Sequence, residues 1–360
     1  MRAWVVLALW FLAFHADAAK APAKDPVPAN APAIPEYKIV TASERGTYIV
    51  LGRNLATTVA PDAGFELEAL PSTGSAENVR RLRFEPGVKF AIVQSDVYQA
   101  FLDQAAAGNK EAGYIIRPLR VILPLYNEEI YWVARADSPI NFVHEVRNAR
   151  INAGPVGSGT ALTALTMYQA MFHTALPEDK TTYLSNEEAL IKLTGDQSVD
   201  VAVIVGGQPM KLLADMKPEA KQLIKLLRFD ASHAASMEAL KTYFSATVRQ
   251  SSYPNLLSED LPAVAVKAFL VTYDYNLRQT TQYLTRFARS LCANLPALQA
   301  HGHPKWKEVE LALPELGEGW TYYAPTAREI QACNASRQAT PQSRFGCSQQ
   351  IALLGLCGKP

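Results

Sequence analysis

Beyond the first 18 residues, no stretch of the 360-residue chain holds an uncharged apolar run of the roughly 20 residues that a membrane-spanning helix requires. An excess of either charge is missing too: 35 Lys and Arg stand against 34 Asp and Glu, a net +1 with both signs scattered. Nucleic-acid binding needs a basic stripe or patch, so no nucleic-acid partner is expected. No C-x-x-C occurs, and the six histidines are dispersed except for His301 and His303. That leaves no ligand spacing for a metal, and His301-Gly302-His303 before Pro304 reads as a surface turn. No repeat of fixed period is visible, and no cofactor is implied. The four cysteines, Cys292, Cys333, Cys347 and Cys357, all fall in the last fifth of the chain. In an exported protein an even count favours disulfides. Three pairings are open, of which Cys333 with Cys347 and Cys292 with Cys357 are preferred because they would pin the tail to the body.

What is present begins at the N-terminus. Arg2, the apolar run Trp4 to Phe14 and Ala16-Asp17-Ala18 form a basic region, a hydrophobic region and an A-x-A cleavage site. Export with cleavage after Ala18 is expected, and no Cys follows the run to carry a lipid anchor at that position. Residues 19–35, rich in Ala and Pro, read as an extended linker. The rest exceeds what one core usually organises, so two lobes are expected.

Asn152 to Thr160 reads N-A-G-P-V-G-S-G-T between a β-type run, Ala149 to Ala153, and a helical pattern from Ala161 to Phe172. A Gly-rich turn that leaves a strand and opens a helix can cradle an anion, because the first N–H groups of a helix lack partners and carry partial positive charge. Gly157 and Gly159 allow close approach, while Ser158 and Thr160 add hydroxyls. Thr160 follows Gly159 where a Walker A loop requires Lys, and Val156 stands where a nucleophile elbow requires Gly.

Similar units precede it. Tyr37 to Ala42 leads through Gly46-Thr47-Tyr48 into a helix with Leu51, Leu55 and Val59. Phe65 to Leu70 leads through Thr73-Gly74-Ser75 into Ala76 to Arg83, and Phe90 to Val93 leads through Gln94-Ser95-Asp96 into Val97 to Ala107. In an open α/β sheet such strand ends share one edge, where ligands bind. Val121 to Leu125 and Ile130 to Arg135 read as two strands flanking Tyr126 to Glu129, where the chain passes into a second lobe. There Ser185 to Glu188 forms a capping box, and the buried strand Val199 to Val205 ends at Gly206-Gly207. Thr326 to Glu329 reads as another capping box. Residues 36–125 with 232–330 are expected as one lobe, 126–231 as the other and 331–360 as a tail.

Several residues have competing readings. Glu128 and Glu129 suggest a catalytic carboxylate pair, yet neighbours on an extended chain point to opposite faces. Arg135 is either a carboxylate clamp or half of a salt bridge. Gln94 and Asp96 could receive an ammonium or hydroxyl, or Asp96 could simply favour its helix dipole. Ser75 could cap its helix, with Asn78 one turn later on the same side.

Gly46-Thr47-Tyr48, Thr73 to Asn78, Ala91 to Asp96, Val133 to Ser138, Gly154 to Thr160 and Val205-Gly206-Gly207, in that order, resemble the TAXI family of TRAP-transporter solute receptors. The likeness runs from about Tyr37 to Asn255. It implies a two-lobed type II periplasmic-binding-protein fold with a hinge and an interlobe cleft. It further implies a monomeric periplasmic receptor that hands a small organic anion or amino acid, such as glutamate or 2-oxoglutarate, to TRAP membrane permease subunits. The ligand-binding residues it implies are Thr47, Tyr48, Gly74, Ser75, Asn78, Gln94, Asp96, Gly157, Ser158, Gly159, Thr160 and Gly207, without catalysis. Two segments depart from the family pattern: Gln250-Ser251-Ser252-Tyr253-Pro254 lacks a Gly, and Phe84 to Lys89 replaces a Gly- and Asp-bearing turn. A periplasmic sensor subunit and an exported enzyme on the same fold are the alternatives.

Overall fold

A computed structural model describes residues 34–317 and 319–339. The expected signal sequence, the linker up to residue 33 and the cysteines at 347 and 357 lie outside the described residues. In chain order the elements are β1 (Glu36–Val40), α1 (Thr47–Thr58), α2 (Ala60–Ala63), β2 (Glu66–Leu70), α3 (Ser75–Phe84), β3 (Val88–Gln94), α4 (Val97–Ala106) and α5 (Lys110–Ile116). After the long strand β4 (Leu119–Arg135) come β5 (Ile151–Asn152), α6 (Gly159–Phe172), β6 (Thr181–Thr182), α7 (Asn186–Thr194) and β7 (Val201–Gly206). They are followed by α8 (Lys211–Ala214), β8 (Ile224–Leu226), α9 (Ala234–Ala239) and β9 (Phe244–Val248). The second long strand, β10 (Leu261–Tyr273), precedes α10 (Arg278–His301) and α11 (Ala324–Ala339).

The strands form one sheet in the order β2-β1-β3-β10-β4-β7-β5-β6. Three parallel strands lie at each end, β2-β1-β3 and β7-β5-β6, and the antiparallel pair β10-β4 joins them. The two long strands serve both ends. β4 meets β10 from Leu119 to Ile130 and β7 from Glu129 to Ala134, while β10 meets β9 from Leu261 to Ala265 and β3 from Ala268 to Val271.

Strand alternation then distributes the core. On β1, Ile39 joins Leu51, Phe65, Phe90 and Phe287 on one face, while Val40 joins Val79, Phe101 and Ile115 on the other. On β4, Ile130 and Trp132 pack with Met167 and Tyr168, while Tyr131 and Val133 pack with Leu193 and Tyr253. Each half of the sheet is thus covered on both faces, giving the two-lobed α/β arrangement expected from the sequence. Residues 232–260, expected with the first lobe, pack differently: Ala239 and Tyr243 join the Trp132 cluster, and Val248 and Tyr253 the Tyr131 cluster. The chain returns to the first lobe along β10, where Ala268 and Phe269 enter the first lobe's clusters.

Three further expectations are corrected. Residues 121–135 are one continuous strand, and both glutamates at its middle find partners. Tyr48 donates to Glu128 Oε2 from one face, and Lys305 and Gln208 reach Glu129 on the other. The disulfide joins Cys292 to Cys333, whose Cα atoms are 6.5 Å apart because α11 packs along α10. Thr326 lies within the first turn of α11 and donates to Tyr323 O (3.0 Å), so no capping box forms there, whereas the one at Ser185 and Glu188 does.

Lys305, on the 3-10 turn Pro304–Glu308, is 1% exposed. Its Nζ sits 2.7 Å from Glu129 Oε1, 2.8 Å from Asn127 O and 2.9 Å from Glu308 Oε1. Removing one member of a buried ion pair strands the other charge, which costs about 3–5 kcal/mol. Lys305→Met is therefore expected to lose stability on that scale in urea unfolding, and Lys305→Met with Glu129→Gln to regain part of it. Equal stability of Lys305→Met and the wild type would count against this cluster.

Candidate functional site

The C-terminal ends of β1, β2 and β3 in one lobe and of β5 and β7 in the other deliver their turns around a cavity of about 260 Å³. Ala42, Ser43, Arg45 to Tyr48, Ser72 to Ser75 and Gln94 line it from the first lobe. Pro155, Ser158 to Thr160, Ser185 to Glu187 and Val205, Gly206, Met210 and Leu212 line it from the second, and Glu128 comes from the middle of β4.

Four helices of nine residues or more, α1, α3, α6 and α7, start at this cavity. Ser158 Oγ accepts from Ala161 N (3.0 Å), and Ser185 caps α7 through Glu188 N. The caps of α1 and α3 are Gly46 and Gly74, which provide no side-chain hydrogen bond. Their first-turn amides, that of Glu77 excepted, thus keep the partial positive charge and open donors that a carboxylate can use. Gly74 has φ +129°, a conformation available to glycine alone at little cost. A Cβ on Gly159 would overlap Gln94 Oε1, so the turn before α6 approaches the end of β3 only because it lacks a side chain. The Glu77 amide donates to Gly157 O across the same junction at 3.0 Å.

Of the residues expected from the sequence, Thr47, Tyr48, Gly74, Ser75, Gln94, Ser158, Gly159 and Thr160 line the cavity. Asn78, Asp96, Gly157 and Gly207 lie elsewhere. Asn78 is fully buried; its Nδ2 donates to Thr41 O (2.5 Å) and Ile92 O (2.7 Å), and its Oδ1 accepts from Ser72 Oγ (2.6 Å). It ties the turn before α3 to the ends of β1 and β3. Gly157 and Gly207 contribute carbonyls to the surrounding frame, the latter accepting from Thr47 Oγ1 at 2.8 Å. Asp96 joins the lobes: its Oδ2 accepts from Thr163 Oγ1 (2.7 Å) on α6 and from the Tyr243 hydroxyl (3.2 Å). Burial pushes its carboxyl up to about 6, and those two hydrogen bonds pull against that rise.

Sequence reasoning passed over Glu128 as a site residue and missed Arg45, Ser185 to Glu187, Met210 and Leu212. The capping box at Ser185 marked a helix start, the same signal that singled out Ser158, yet nothing local aims that start at the cavity. Glu128 is 2% exposed and lines the cavity. Burial pushes its carboxyl up to about 8; Tyr48 pulls it down, Glu129 pushes it up, Lys305 pulls it down and Asp96 pushes it up. It therefore carries its proton at neutral pH. Arg135 stays outside the cavity lining, 3.3 Å from Asp137 Oδ1 and 3.9 Å from Asp200 Oδ1. Of the two departures from the family pattern, Tyr253 braces the wall, its hydroxyl 2.8 Å from Met210 N and 2.8 Å from Tyr131 Oη, while residues 84–89 do not reach the cavity.

A cavity between two α/β lobes, rimmed by helix N-termini, has the architecture of a cleft that closes around a small molecule. The profile of the NMT1-like family matches residues 39–316, and the chain belongs to that family. Among solved structures, the periplasmic binding protein BugD is 17% identical, with 84% of this chain and 94% of that one covered at a TM-score of 0.47. XAC2383 from Xanthomonas citri, bound to ATP, is 11% identical over 83% of this chain and 98% of that one, at 0.45. A TctC solute binding protein from Polaromonas is 15% identical over 85% and 99%, at 0.41.

Two outcomes separate frame from site. Asn78→Ala removes a donor from two buried carbonyls and the acceptor of Ser72 Oγ, and is expected to cost roughly 1–3 kcal/mol in urea unfolding; a loss of affinity at unchanged stability would instead make Asn78 a ligand contact. For Asp96 the folded chain holds the proton more tightly than the unfolded one, whose Asp titrates near the ordinary value of about 4. Its contribution to stability is full below about pH 4 and is lost as the pH rises through about 6. Asp96→Asn is expected to gain on the wild type across that window in thermal unfolding, and parallel pH profiles would refute the assignment.

Proposed function

We propose that the chain is the solute receptor of a TRAP-type secondary transporter of the TAXI kind, working in the periplasm as a monomer. It binds a small organic acid between the lobes and delivers it to membrane permease subunits. The observation that carries this reading is the convergence of the α1, α3, α6 and α7 N-termini on one cavity, with the two glycine-capped helices leaving their amides to the ligand. The six collinear motifs supply the transport setting. The two long strands between the lobes provide a place for the bending that closure requires.

Binding without chemistry also fits the side chains. Ser158, the nucleophile that the turn would offer an enzyme, uses its oxygen to cap α6, and the cavity lining includes no histidine among the described residues. A hydrolytic or transfer mechanism needs a base within hydrogen-bond reach of its nucleophile.

The test is thermal unfolding of the mature protein against amino acids, dicarboxylates, 2-oxo acids and short fatty acids, with the ligand recovered unchanged. A ligand at 100 times its dissociation constant stabilises by about 2.7 kcal/mol. Thr160→Leu, which places bulk at the cavity wall, is expected to weaken the same ligand by about tenfold or more, equivalent to about 1.4 kcal/mol. Stabilisation by no acid, or full affinity in Thr160→Leu, would overturn the proposal.

A further inference from the structure

The cavity has one polar feature that an acid-binding cradle does not call for. Glu128 projects from β4 into a space otherwise organised to attract negative charge. Its Oε2 accepts from the Tyr48 hydroxyl, and the residue is 2% exposed. A second carboxylate, Glu187, belongs to the same lining. The cationic side chain there is Arg45, about half exposed and 3.7 Å from Asp215. A ligand with two carboxylates would set its second negative charge among these acids with little to offset it. A ligand with a carboxylate at one end and an ammonium at the other meets both demands.

We propose that the cavity takes a zwitterion, a small amino acid whose carboxylate sits at the N-termini of α1 and α3 and whose ammonium pairs with Glu128, and that Glu128 sets the preference for an amino over an oxo group. The inference rests on the reading of the cavity as an organic-acid site. Asp96, the other carboxylate considered for an ammonium, lies outside the lining, with its Oδ2 shared by Thr163 and Tyr243. Glu128 is a specificity-determining residue with a built setting. Tyr48 orients it from α1, and Glu129 on the same strand points away to Lys305.

The charged and titratable groups around it are Tyr48 on α1, Asp96 before α4, Tyr126 and Glu129 on β4, and Lys305 on the turn after α10, with Arg45 and Glu187 on the rim. Without ligand the carboxyl titrates at about 8. An ammonium beside it stabilises the ionised form and releases the proton. Affinity for an amino acid therefore rises as the pH climbs towards about 8, a range in which the ligand keeps its own amine proton. A dianionic oxo acid has the opposite dependence, because it needs Glu128 neutral and loses affinity as the pH passes about 8.

The experiment is calorimetry of the wild type and Glu128→Gln with matched pairs that differ only in amino against oxo: glutamate and 2-oxoglutarate, aspartate and oxaloacetate, valine and 2-oxoisovalerate. Measurements at about pH 6 and pH 8.5, in buffers of different ionisation enthalpy, give affinity and protons released together. For one pair the wild type is expected to prefer the amino acid by about 10–100-fold, the worth of a hydrogen bond to a charged group. That binding should release a proton near neutral pH and strengthen towards pH 8.5. Glu128→Gln should erase both the preference and its pH dependence. Equal or tighter binding of the oxo acid, or an unchanged ratio in Glu128→Gln with the fold intact by circular dichroism, overturns the role of Glu128 and leaves the acid-binding site standing. The wild-type comparison decides the matter even if the variant fails to fold. No binding by either member of any pair overturns the site itself and this inference with it.

Discussion

Adjacent side chains on an extended strand point to opposite faces, and at Glu128 and Glu129 that rule fixes the centre of the molecule. Both glutamates are almost fully buried. One faces the cavity with Tyr48, and the other faces the turn Pro304–Glu308, where Lys305 and Gln208 satisfy it. A slip of β4 by one residue would present Glu128 to Lys305 and Glu129 to the cavity. It would also move Ile130 and Trp132 out of the Met167 cluster, so the apolar core and the polar centre enforce the same register. Because β4 and β10 run through both lobes, the register chosen there sets the position of every turn around the cavity.

The cavity in turn depends on small residues at the lobe junction. Gly74 and Gly159 bring the starts of α3 and α6 together, and the amide of Glu77 reaches Gly157 O across the gap. Helix N-termini attract negative charge, and four in one place would leave the cavity strongly biased. Glu128 and Glu187 temper that bias, Glu128 by holding a proton that it can give up. In the proposed receptor the bound molecule completes this electrostatic arrangement.

Much of the frame was legible from local patterns. Strand, Gly or hydroxyl turn, and helix recur at Thr47, Ser75 and Ser158, and the structure places all three on one cavity. Local patterns failed where partners are distant in sequence. Asn127-Glu128-Glu129 interrupts an apolar run and reads as a break, because nothing nearby announces Lys305 or Tyr48. Cys292 and Cys333 pair because α11 lies along α10, an outcome of packing that cysteine spacing does not encode. Asn78 in the first turn of α3 and Asp96 just beyond β3 stand where site residues do, yet the Asn78 side chain and Asp96 Oδ2 are used within the protein, and only the hydrogen-bond partners distinguish the two roles.

The wall formed by residues 206–210 shows how the lobes hold the site in shape. Thr47 donates to Gly207 O from the first lobe, and Gln208 bridges Glu129 and Thr247 O. The Tyr253 hydroxyl accepts from Met210 N, and His303 Nε2 lies 3.3 Å from Pro209 O. Every residue of this turn from 207 to 210 is thus fixed from behind or from the side, while Gly206 and Met210 face the cavity. A wall anchored to both lobes cannot follow one lobe alone without breaking buried hydrogen bonds, each costly to leave unmade. In the proposed receptor the place left for bending between the lobes is the pair β4 and β10, which runs through both, with Glu128 at the middle of β4.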